Sequence, residues 1–167
     1  MSNRPKIKVP LEPIDIVVEV ISMTILVLMT IYTIIEYKNL PESIPTHFNA
    51  KGVADDFSDK SMIWGLPILG VVMYVGLFII NKFPHIHNYM VNITEENALK
   101  NYRFSTRIVR VVNLFTAALF AYIQYSIIAT AKGESVTLGS WFLPTILGLT
   151  ILLPAFILIY QRKINKI

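Results

Sequence analysis

His47, Asn49, Asp55 and Lys60 fall within fourteen consecutive residues of this 167-residue chain. A histidine followed eight positions later by a carboxylate can make a general base with its orienting partner. His47 with Asp55, Asp56 and Asp59 would offer a cation one nitrogen and several oxygens. One histidine without a second nitrogen ligand makes a poor zinc site. No serine or cysteine nucleophile stands in a recognised context beside His47, and the chain has no cysteine at all. That excludes disulfides, thiolate metal sites and cysteine nucleophiles. Two other uses fit the same residues. One is a recognition surface. The other is structural: Asn49 and Gly52 form a turn, Asp55 caps it and Lys60 reaches lipid phosphate. No cofactor or metal is expected.

The elements that must hold these residues follow from composition. Hydrophobic residues make up 54% of the chain and charged residues 16%, and the mean hydropathy is +0.56. Soluble domains have roughly 25% charged residues, so this chain cannot cover a water-facing surface in the ordinary way. Disordered chains are apolar-poor and charge-rich, which excludes that class too. Four stretches reach the length of about 20 apolar residues that a spanning helix needs. They run over about 14–35, 62–81, 111–131 and 138–160. Lipid offers backbone groups no partners, so each must be helical. Pro67, Pro144 and Pro154 are expected as tolerated kinks. Arg4, Lys6 and Lys8 resemble the basic start of a signal peptide, but the apolar run is too long and lacks a small-residue cleavage site. An uncleaved anchor is expected. The predicted fold is an all-α, four-transmembrane-helix bundle forming a single membrane domain, 1–167.

Orientation follows from the basic residues. Eleven of the 15 Lys and Arg residues lie in the N-terminal tail, the 82–110 loop and the C-terminal tail. Positive loops stay inside, so both termini are expected in the cytoplasm and loop 38–61 outside. Trp64 and Trp141 then open spans at the outer interface, and Tyr160 marks the inner one. Within the outer loop, Ile44–Phe48 and Val53–Phe57 are β-prone, and Asn49-Ala50-Lys51-Gly52 has turn chemistry. A short extracytoplasmic β-hairpin between the first two helices is predicted. Two strands alone are marginal, so helix ends must hold them.

Inside, Asp15 and Glu19 share one face of the first span. A Glu19–Arg110 ion pair is expected. Thr94 reads as a helix N-cap, with Glu95 and Glu96 favourably placed in the first turn. No Pro or Gly follows until Gly133, which predicts one helix from about Glu95 through the third span. Lys100, Arg103, Arg107 and Arg110 make one stripe on it. That stripe is expected to meet anionic lipid headgroups. Phe83 to Tyr89 reads as extended or turn-like, and on a strand His85 and His87 would share a face without closing a metal site. Deep in the spans only neutral polar groups occur, among them Asn113 and Gln124. No basic nucleic-acid module is present, so nucleic acid is not an expected partner.

Leu40-Pro41, Ile44-Pro45, His47-Phe48-Asn49, Gly52, Asp55 and Lys60 together resemble the signature of bacterial membrane proteins grouped under domain of unknown function 1648. The run Asn92 to Ala98, with Tyr102 after it, also resembles short members of that group. The same domain type begins the immunity proteins that protect sporulating bacteria from a sporulation-delaying peptide toxin. Those are longer, with a second membrane domain. The resemblance implies a multi-pass protein of the bacterial cytoplasmic membrane with a binding, immunity-like or signalling role. Its partner would be an extracytoplasmic peptide or protein. The alternative is a membrane enzyme or small transporter using His47, Asp55 and Lys60.

Overall fold

A capping box starts the first helix. Glu12 is the N-cap, Pro13 occupies the first turn, and Glu12 N donates to Asp15 Oδ2 at 2.9 Å. A proline here loses nothing, because the first-turn N–H groups have no helical partner anyway. The computed structural model describes residues 4–134 and 137–165. It contains, in order, α1 (Pro13–Glu36), β1 (Ser43–Phe48), β2 (Ala54–Asp59), α2 (Gly65–Ile80), α3 (Glu95–Ala131) and α4 (Phe142–Asn165). Short 3-10 turns join several of them. Four helical segments are long and apolar enough to cross a membrane: Pro13–Asn39, Lys60–Ile80, Glu95–Ala131 and Phe142–Asn165.

The long third helix is present as one element of 37 residues. At 1.5 Å per residue it is about 56 Å long, well beyond the roughly 30 Å hydrocarbon core. Thr94 caps it, and Thr94 N donates to Asn97 Oδ1 at 2.9 Å. In two places the helices differ from expectation. Pro67 and Pro144 sit in the first turns of α2 and α4, where no backbone donor is missed, so only Pro154 lies inside a helix. The fourth helix begins at Phe142 rather than near 138. Gly139 takes φ +75°, and Leu138 N is already committed to a bond described below, so neither residue is free to be helical.

α1, α2 and α3 form the packed body. Leu26, Met29 and Ala117 are buried together, with Phe120 and Tyr74 against them. Ser22 and Thr33 are buried on α1 and turn their hydroxyls back onto their own helix, to Val18 O at 2.7 Å and Met29 O at 2.9 Å. Small residues of this kind let helix backbones approach closely in lipid. One end of the body carries the hairpin. The other, charged end carries the N-terminal segment and residues 82–94.

His87 belongs to the charged end. Pro84–Ile86 is a 3-10 turn, so His85 and His87 do not share a strand face. The His87 ring is buried between Ser105 Oγ, 2.6 Å from Nδ1, and Ile80 O, 3.2 Å from Nε2. A carbonyl can only accept, so Nε2 carries the proton and Nδ1 accepts from Ser105. Burial pushes the His87 pKa below its usual value, and neighbouring His85 adds to this against the opposing Ile80 bond. The unfolded chain therefore binds more protons than the folded one just below pH 6.5, the ordinary value. Stability should fall as pH drops through that point. Thermal unfolding at pH 7.5 and 5.5 should show a larger loss for the native protein than for His87→Gln. Equal losses would remove the assignment.

Candidate functional site

The hairpin is built from its buried side outward. Ile44 and Pro45 are the buried residues of β1, whereas β2 is exposed from Asp55 to Asp59. Ile44 packs with Leu40, Ile63 and Ile128, and Tyr37 and Trp64 lie against them. Burying a side chain the size of Ile44 contributes about 2 kcal/mol, which two strands need. Beneath it, Gln124 is fully buried on α3, and its amide nitrogen donates to Thr33 Oγ1 at 2.8 Å and Ile63 O at 3.0 Å. That polar knot ties α1, α3 and the start of the second span at one level.

β1 and β2 pair antiparallel, with register shifts on either side of His47. The turn is made as its residues suggest. Asn49 Oδ1 accepts from Lys51 N at 2.9 Å and Val53 N at 3.2 Å, and Gly52 N donates to Asn49 O at 2.8 Å. Gly52 has φ +76°, a conformation side chains disfavour. Gly52 is also a docking point, since Leu138 N donates to Gly52 O at 2.9 Å. The α3–α4 connection thus rests on the hairpin tip. Tyr122 OH donates to Leu138 O at 3.1 Å and fixes the same strand of chain to α3.

The polar residues divide by role. His47 Nδ1 lies 2.5 Å from Asp55 Oδ1, with the side chains 64% and 42% exposed. Asp55 therefore faces His47 rather than capping the turn, which Asn49 caps by itself. Lys60 bonds Glu42 Oε1 at 2.6 Å and lies 5.8 Å from the centre of the Tyr37 ring. It closes the base of the hairpin instead of reaching outward to phosphate. Asp59 caps the following 3-10 turn through Ser61 N at 2.8 Å. Hydrogen bonds from Ser61, side chain first and then backbone, hold the Asp59 carboxyl below its usual range. Asp56 accepts from Phe57 N at 2.9 Å. Among the described residues no three His, Cys, Asp or Glu side chains are grouped to hold a metal.

A second constellation lies at the charged end. Arg110 Nε donates to Glu19 Oε1 at 2.7 Å. Arg107 Nε reaches Asp15 Oδ1 at 3.0 Å, its Nη2 reaches Glu12 Oε2 at 2.7 Å, and Arg103 Nη1 reaches Glu12 Oε1 at 3.2 Å. Three arginines of the basic stripe therefore face three carboxylates, those of the N-cap Glu12 and of Asp15 and Glu19 on α1. Lys100 instead donates to Ile164 O at 2.8 Å, at the end of α4. The sequence reading missed Glu12 and Asp15 as partners. The signal was there: 12, 15 and 19 are spaced by three and four, as are 103, 107 and 110.

The fold and this platform define a multi-pass membrane protein with a small β-hairpin mounted on one end of a helical bundle. Residues 24–71 match the family described as Domain of unknown function (DUF1648). That segment covers the second half of α1, the whole hairpin and the start of α2. The chain is also similar to an uncharacterized protein of Archaeoglobus fulgidus, 27% identical over 129 residues, which is 68% of this chain and 70% of the relative. No solved structure matches.

Proposed function

We propose that the protein is a non-catalytic membrane binding protein of immunity-like type, with cytoplasmic termini and an outward hairpin that captures a secreted, cationic peptide. The observation behind this reading is how the hairpin is mounted. One face is buried and both ends are fastened, while His47, Asp55, Asp56 and the 54%-exposed Phe57 stand free in solvent. Carboxylates beside an exposed aromatic ring suit a basic amphipathic ligand. The basic-loop count supports the orientation. The 2.5 Å His47–Asp55 contact also favours a second reading, an exposed general base oriented by its carboxylate.

Cells expressing the protein should survive a sporulation-delaying peptide toxin, and His47→Ala or Asp55→Ala cells should not. Exposed pairs contribute little to folding, so membrane levels should be equal. Absence of protection by the native protein would end the immunity reading. Lower levels of both variants would assign the pair to folding. In the same cells a Lys51→Cys variant should label with an impermeant maleimide against a cysteine-free background, and an Asn92→Cys variant should not.

A further inference from the structure

α4 is set against the bundle in an unusual way, because Gln161 is the single buried residue among its described side chains. Between it and α3 runs an open groove of about 520 Å3. Lys100, Arg103 and Arg107 line one end of it, and Val111 and Leu153 line the other. The rings of Phe104, Phe156 and Tyr160 stack between, with the Phe104–Tyr160 centroids 4.6 Å apart. Val111 lies eleven positions beyond Lys100 on α3, about 16.5 Å along the axis. Half of a roughly 30 Å hydrocarbon core is about 15 Å. The groove is therefore about as long as one leaflet is deep, with cations at one end and apolar walls toward the other.

Its charged end is incomplete. Arg103 Nε is buried without an acceptor among the described residues, although its Nη1 reaches Glu12. A guanidinium cannot shed that proton, so one donor of this partly exposed side chain stays unmet. Of the three cations there, Arg103 and Arg107 meet two carboxylates, Glu12 and Asp15, and Lys100 pairs with no carboxylate among the described residues. Lys100 uses one donor on Ile164 O and has two more.

We propose that one anionic phospholipid occupies this groove as a structural ligand. Its phosphate lies at Lys100 and Arg103, and one acyl chain follows Phe156 and Leu153 toward Val111. The lipid fills the seam between α3 and α4. This site is independent of the hairpin and of any ligand held there.

The test is native mass spectrometry of the full chain in neutral detergent, titrated with dioleoyl phosphatidylglycerol, dioleoyl phosphatidylcholine or inorganic phosphate. One phosphatidylglycerol per chain should persist where phosphatidylcholine is stripped. Arg103→Gln should weaken it about tenfold, the scale of one lost charge-assisted hydrogen bond. Leu153→Trp fills the apolar end with the cations intact, and should weaken it comparably. Equal retention of phosphatidylcholine would overturn the proposal. So would native-like phosphatidylglycerol binding by Leu153→Trp, or displacement of the lipid by millimolar inorganic phosphate.

Discussion

Arg110→Leu should lower the stability of the bundle by about 3 kcal/mol, at the low end of the range for breaking a buried ion pair. Arg110 is the best-enclosed cation of the charged end, with its side chain 10% exposed, against 23% for Glu19 and 3% for Asp15. The substitution leaves Glu19 without its 2.7 Å partner. Asp15 also loses a cation at 3.9 Å but keeps Arg107. The cost is set by the carboxylate left behind and not by the lost contact alone. Pairing the change with Glu19→Leu should therefore recover most of the stability. Unfolding in mixed detergent micelles of both single variants and the double variant would measure the coupling. A coupling below about 0.5 kcal/mol would reduce the pair to an ordinary surface bridge. Arg103→Leu should cost less, since that side chain is 37% exposed.

The second large effect is expected at Gly52. A left-handed backbone costs a residue with a side chain about 1–2 kcal/mol. The space is also closed: a Cβ there would lie 2.7 Å from Gly139 N and 3.1 Å from Gly139 O. Those atoms are main chain, so no rotamer can relieve the clash. Gly52→Val should thus cost about 3 kcal/mol or more, combining strain with a lost backbone hydrogen bond. It should also release Leu138 and Gly139 from the hairpin tip, read as faster trypsin cleavage after Lys132. Gly65→Ala is the control, because nothing lies within 4 Å of its Cβ and its φ is −56°. Unchanged unfolding and unchanged cleavage in Gly52→Val would refute the docking of the two connections.

How far these features were legible differs from one to the next. The four spans were legible because lipid imposes a length and an apolar composition. The hairpin was legible because Pro45, Asn49 and Gly52 are local signals, and the turn they form closes over four residues. The start of α4 was not. Leu138 and Gly139 look like helix or loop until their contact with Gly52, 86 positions earlier, is known. The basic stripe was visible as a face, but periodicity does not say what a face meets. It was expected to meet headgroups, and periodicity alone did not give the carboxylates at the start of α1 that Arg103, Arg107 and Arg110 also meet. Lys60 was misplaced for the same reason, since Glu42 lies 18 residues away and joins it only once the strands pair.

The hairpin is a beam clamped at both ends. Its base is closed by Lys60 and Glu42, where α1 gives way to α2. Its tip is fastened to Leu138, where α3 gives way to α4. A cantilever would bend under a load on its face and absorb it locally. A clamped beam divides the load between its supports, so a ligand held as proposed at His47 and Asp55 would pull on both helix pairs at once. α4 is the support with the least packing to resist, and the tilt of that helix is where such a load would be read.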